Sequence, residues 1–180
     1  MQDKLGKEVD AGIIETVVAL NLLGMPTTQS CEGHLNHGTG APWVDIEDTN
    51  ASKRSSEVNR LFQQALRFQQ QQTRITLETK RLFEEAHEAK RAVKRLHLAI
   101  RQRLLTYLSE FYEHRQVPFD IRLVIQSRDT TGRSRLESQG ADFQETAPLE
   151  ERCLNLTVYQ EEMRRFTAFL KQQFFQETDE

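Results

Sequence analysis

Apolar positions recur with three different spacings along the chain, and the spacings divide it into a front, a long middle and a back. In residues 8–23, Ile13, Val17, Leu20 and Leu23 fall three or four apart, which predicts a helix. Asp10 stands where a cap is wanted, and Gly24 followed by Pro26 supplies a stop. Residues 27–31 read as a short β-type run. A loop follows with Gly33, Gly38, Gly40 and Pro42, and then Trp43-Val44-Asp45-Ile46-Glu47 alternates as a strand with one wet face should.

The middle has a different period. No Gly occurs from Ala41 to Thr131 and no Pro from Trp43 to Val117. Within that window, Val58, Ala65, Gln72, Thr79, Ala86, Val93, Ile100 and Tyr107 make one heptad row. Leu61, Phe68, Ile75, Leu82, Ala89, Leu96, Arg103 and Glu110 make the other. Twelve of these sixteen positions are apolar, enough for a coiled-coil-like seam. The seam is weakest from Gln69 to Thr79. Sixty helical residues would reach about 90 Å, so the chain must turn back for its flanking strands to share a sheet. A helical hairpin that breaks between Gln70 and Glu88 satisfies this. One long helix completed by a second copy is the alternative.

After Pro118 the period falls to two. Phe119, Ile121, Leu123 and Ile125 predict a strand, Asp129-Thr130-Thr131-Gly132 a turn, and Arg133–Ser138 the return strand of a hairpin. A final helix is predicted from Thr146 as cap and Pro148 in the first turn. Leu149, Cys153, Leu156, Met163, Phe166, Phe169 and Leu170 form its apolar stripe. The alternation Leu154-Asn155-Leu156-Thr157-Val158 offers a strand as the rival there. The expected fold is therefore α+β. A small antiparallel sheet with N- and C-terminal helices is built from residues 1–51 and 117–180, with a helical arm of residues 52–116 inserted.

Composition narrows the classes. At 37% hydrophobic residues and a mean hydropathy of −0.65, the 180-residue chain is polar but can still build one core. No apolar run is long enough to span a membrane, and the first residues lack the apolar stretch of a secretory signal. Two cysteines, Cys31 and Cys153, make no disulfide framework, which leads to the expectation of a reducing, cytoplasmic setting. The net charge of −3 conceals an asymmetry. Residues 52–116 carry 14 Lys and Arg against 7 Asp and Glu, residues 1–51 carry 2 against 8, and residues 117–180 carry 8 against 12. A solvated helical face accounts for the basic middle, and association with nucleic acid is the sharper alternative. His87, His97 and His114 in that middle are expected at the surface or at a helix end. The cluster Glu84, Glu85, His87 and Glu88 lacks the second motif a two-metal bundle needs.

Chemistry concentrates in Thr27-Thr28-Gln29-Ser30-Cys31-Glu32-Gly33-His34-Leu35-Asn36-His37. Cys31, His34 and His37 have spacing that can place three ligands around a zinc-type ion, with Glu32, Asp45, Cys153 or water as the fourth. Cys31 could instead be a nucleophile, with His34 lowering its pKa and Glu32 orienting the imidazole. In the third reading Thr27, Thr28, Ser30 and the N–H groups flanking Gly33 bind an anion, a nucleotide or a neighbouring backbone, with Trp43 as a further ligand contact, or the segment is a structural turn with Trp43 in the core. Arg122 and Arg135, expected as near neighbours across the hairpin, could face an anionic ligand.

The stretch from Gly12 to Ile46 (Leu-Asn-x-x-Gly-x-x-Thr-x-Ser-Cys-Glu-Gly-His, then Pro-Trp-Val) resembles bacterial proteins of unknown function and short phage-encoded proteins. Glu162-Met163 and Phe169-Leu170-Lys171 look like the end of the same bacterial proteins. That family brings no activity with it. Thr28, Ser30, Cys31 and Gly33 are also similar to the motif of the tRNA wybutosine-synthesizing protein 3 family. That resemblance would imply S-adenosylmethionine-dependent tRNA modification, but His34 stands where that family has a basic residue. On the residues themselves, the expectation is a ligand-binding or small-molecule-modifying protein centred on Cys31–His37. The alternatives are an interaction module or homodimer built on the arm, and a nucleic-acid-associated protein.

Overall fold

The computed structural model describes residues 1–71, 75–128 and 133–178. It is α+β: four helices and one four-stranded antiparallel sheet among the described residues. A 3-10 turn, Ala11–Ile13, leads into α1 (Ile14–Leu22). The stop after α1 is a Schellman closure. Gly24 takes φ +70°, Met25 N–H donates to Leu20 O at 2.9 Å, and the Met25 side chain is buried beside the helix end. Strands β1 (Thr27–Cys31) and β2 (Trp43–Ile46) follow. Helix α2 (Thr49–Gln70) starts under the Asp48 carboxylate, which accepts from the N–H groups of Asn50 and Ala51.

The middle is a hairpin. Helix α3 (Leu77–Tyr112) packs back along α2, and the break falls between Gln70 and Leu77, inside the expected window. No Gly or Pro marks it. Thr76 begins α3 instead, its Oγ1 accepting from Thr79 N–H. Seam residues Val58, Leu61, Ala65, Ala86 and Val93 are buried, and helices of one chain cover them. The second row of the expected seam runs out of register after Leu96. Arg103 and Glu110 are exposed, while Leu104, Tyr107, Leu108 and Phe111 are buried, because the last turns of α3 leave α2 and join the main core at a 3.6 period. Helix α3 thus belongs to both the hairpin and the main core. His97, on α3, is buried, against the expectation of a surface position. His87 meets Phe62 edge-on at 5.1 Å, and His114 is exposed.

Strand β3 is Leu123–Ser127 and β4 is Ser134–Ser138. The turn expected at 129–132 lies outside the described residues, as does Gln72 of the seam. The alternation at Phe119 and Ile121 is not strand. Ile121 and Arg122 N–H both donate to Pro118 O, making a turn that leaves Phe119 74% exposed. Arg122 and Arg135 are not neighbours either, because Arg135 pairs with Gln126. Helix α4 (Leu149–Thr178) takes in the alternating residues 154–158. Thr146 is not its cap: the Thr146 hydroxyl donates to Phe143 O, and the first helical bond runs from Arg152 N–H to Pro148 O. Leu149 and Cys153 are exposed, so the apolar stripe becomes core only from Tyr159 onward.

Strand order is β1-β2-β4-β3, every pair antiparallel. The register gives the sheet two unlike sides. Val44, Leu136 and Ile125 share a row turned to the core, where Leu20, Leu104, Phe111 and Phe166 meet them; Phe111 and Phe166 rings lie 5.1 Å apart. The opposite side carries the rows Cys31–Trp43–Glu137 and Gln29–Asp45–Arg135. No described helix is long and apolar enough to cross a membrane.

Candidate functional site

The bend after β1 is held from three directions. Asp10, just before the first turn, accepts at Oδ2 from Glu32 N–H (3.1 Å), and the same oxygen lies 3.2 Å from His34 Nε2. Gly12 N–H donates to Glu32 Oε2 at 2.6 Å. From α4, Gln160 Nε2 donates to Glu32 O and Arg152 donates to Leu35 O, both at 3.0 Å. Gly33 is indispensable to the path. Its φ is +86°, and a Cβ there would lie 2.7 Å from Leu156 Cδ1 and 2.8 Å from the Ala41 carbonyl carbon.

These restraints gather Asp10, Cys31 and His34. One carboxylate oxygen, the thiol sulfur and one imidazole nitrogen all lie within 4.8 Å of one another, on partly buried side chains. Gly33 N–H donates to Cys31 Sγ at 3.3 Å. Burial raises the Cys31 pKa despite that bond, and the negative charges of Asp10 and Glu32 raise it further. Burial also pushes the Asp10 pKa up. The Glu32 N–H, the His34 contact and the Cys31 thiol outweigh it and hold Asp10 below the ordinary carboxylate value. Cys31 is thus a protonated thiol beside an ionised carboxylate at neutral pH, the reverse of what an activated nucleophile requires.

The sequence-derived residues separate. Cys31 and His34 come together, but the role expected of Glu32, orienting the imidazole, falls to Asp10, because the Glu32 carboxylate is turned to Gly12. His37 is exposed and lies outside the cluster. Its ring stacks on that of His34 with centroids 4.3 Å apart and planes 16° from parallel. Asp45 is bound to Arg135, and Cys153 is exposed on α4, so neither joins the three. Thr28 is buried, its hydroxyl donating to Asp45 O. Thr28 and Ser30 line a concavity of about 500 Å³ against α1 and residues 1–4, and Cys31, Glu32 and His34 are not among its walls. Trp43 lies under the Arg135 guanidinium, 3.6 Å from the ring centroid. Arg122 precedes the opposite edge strand and stacks on Tyr112 at 4.6 Å. Asp10 is the member that sequence reasoning assigned elsewhere, as a helix cap. Its side chain makes no cap bond.

The class these features define is a four-stranded antiparallel α+β fold with a helical hairpin between strands two and three. Comparison with known protein families, with curated proteins and with solved structures returns no match.

Proposed function

We propose that the protein is a ligand-binding domain whose site is the bend between β1 and β2, with Asp10, Cys31 and His34 as the contacting side chains. The observation that carries this reading is the convergence of a carboxylate, a thiol and an imidazole from two separate segments. Backbone N–H groups hold Asp10 and Cys31, and α4 holds the backbone on either side of His34 through Glu32 O and Leu35 O. The raised Cys31 pKa favours binding over thiol catalysis, so Cys31 serves as a contact and not as an attacking group. A homodimer through the heptad seam finds no support, since Val58, Leu61, Ala65, Ala86 and Val93 of the seam are already buried within one chain. Native mass spectrometry on untagged protein tests the reading. Wild type is expected to retain bound mass that H34A releases, with unchanged thermal unfolding of the two emptied proteins. Identical spectra for wild type and H34A, with no retained mass in either, would refute it.

A further inference from the structure

The chemistry of the three side chains identifies what the bend takes. We infer that Asp10, Cys31 and His34 form a three-ligand site for a borderline-soft divalent transition-metal ion of the Zn²⁺ class, with a fourth position left open. This inference rests on the reading of the bend as a binding site and names its ligand.

One oxygen, one sulfur and one nitrogen donor is the mixture that Zn²⁺ and Co²⁺ accept, and a sulfur and an imidazole together disfavour Mg²⁺ and Ca²⁺. In a tetrahedral zinc site, bonds of about 2.0–2.3 Å put neighbouring donor atoms about 3.5 Å apart. The donors here all fall within 4.8 Å, and His34 Nε2 and Asp10 Oδ2 are already 3.2 Å apart. Closure around an ion therefore needs shifts of about 1 Å among the donor atoms. The surrounding hydrogen bonds resemble the outer shell that orients metal ligands: Glu32 N–H on Asp10 and Gly33 N–H on Cys31 Sγ.

The fourth position is open because the nearby candidates are turned away. Glu32 is bonded to Gly12, Asp45 to Arg135, and Cys153 is exposed. His37 stacks on His34 and is not among the donors gathered within 4.8 Å. Three protein ligands and one exchangeable position describe an ion that can still hold water or a small donor molecule. Binding is coupled to a proton: the Cys31 S–H bond breaks as the S–metal bond forms, and one H⁺ passes to solvent per ion bound.

Cobalt(II) titration of the metal-stripped full chain is the test. Wild type is expected to saturate at one Co²⁺ per chain, with a thiolate-to-cobalt charge-transfer band in the near ultraviolet and visible bands of four-coordinate geometry. C31S should lose the charge-transfer band. D10N and H34Q should each weaken Co²⁺ by about 10-fold or more, and Zn²⁺ should displace the cobalt. A wild-type titration without the band, or a band that persists in C31S, overturns the inference. The wild-type titration alone decides this even where a variant folds poorly. If no band forms but wild type still retains an organic molecule that H34A loses, the metal inference fails while the binding reading stands. If neither occurs, both fail.

Discussion

Two groups of ionisable side chains grow from neighbouring strands, and they follow opposite rules. On the outer side of β2 and β4, Asp45 grips Arg135 through two bonds of 2.6 and 2.9 Å, and Trp43 lies against the guanidinium. Both partners are buried and their strongest valences are used on each other. At the bend after β1, Asp10, Cys31 and His34 crowd together without exhausting their donor atoms on one another. Residue type does not separate the two groups, since each contains a carboxylate and a nitrogen base. What separates them is saturation: a closed pair holds the sheet, and an unsaturated trio keeps capacity for a ligand.

Breaking the closed pair should have the largest effect. D45A leaves Arg135 buried without its counter-charge and is expected to cost about 3–5 kcal/mol, read from the shift of the urea midpoint at constant slope. The double variant D45V/R135V removes both charges in favour of strand-forming apolar groups and should recover most of that loss. A double variant as unstable as D45A would mean that the pair is not closed in the sense argued here. The bend should be less costly to disturb. G33A imposes a left-handed backbone on a residue with a Cβ and drives that Cβ toward Leu156 and the Ala41 backbone. A loss of about 2 kcal/mol is expected by the same measurement, with Co²⁺ affinity falling alongside it.

How far each region was legible in the sequence follows from the range of the interactions that build it. The end of α1 is visible because Gly24 and Pro26 act within one turn, and β4 because a turn signal after β3 implies a return strand. The hairpin break was bracketed but not placed, since Thr76, a cap only in context, takes the place of Gly or Pro. Phe119 and Ile121 imitated a strand because Pro118 closes a turn whose hydrogen bonds leave no trace in hydrophobic spacing. The apolar stripe on α4 extends past the core toward Leu149 because periodicity records what a helix could bury and not where the core ends. At the site, Cys31 and His34 were visible together as neighbours in the chain. Asp10 was not, because its role depends on the start of α1 lying against the end of β1, a tertiary fact across more than twenty residues. The saturation of Asp45 by Arg135 was hidden for the same reason, as it spans 90 positions.

A smaller effect of opposite sign is expected at Glu137, which shares the outer side of the sheet with the closed pair. Its side chain is buried, its Oε1 has no hydrogen-bond partner among the described residues, and Arg128 approaches only to 4.0 Å. Burial raises its pKa above the ordinary glutamate value, more than Arg135 and Arg128 lower it. The folded state therefore binds this proton more tightly than the unfolded chain, so the group favours folding at low pH. That advantage is lost as pH rises from the ordinary glutamate range through the raised folded value. E137Q keeps the shape without the charge. It should be more stable than wild type by about 1 kcal/mol at neutral pH, and the two should converge below the ordinary glutamate range. Thermal unfolding of both proteins across that range measures it, and a gap that widens toward low pH would contradict the sign.

The smallest effect is expected at His37, and it sharpens the contrast most. His37 is exposed and only stacks on His34, outside the trio. H37A should change stability by no more than about 0.5 kcal/mol and leave the cobalt charge-transfer band intact. The ring's one structural contribution is to flank the His34 plane, so a modest loss of affinity through looser orientation is compatible with that role. A loss equal to that of H34Q is not: it would require the His37 ring to swing out of its stack and enter the ligand set. The bend would then be a four-ligand, closed centre, and the difference between a saturated sheet and an unsaturated bend would disappear once the ion is bound. Comparing H37A with H34Q in one titration series therefore decides whether the open position belongs to the protein or only to its metal-free form.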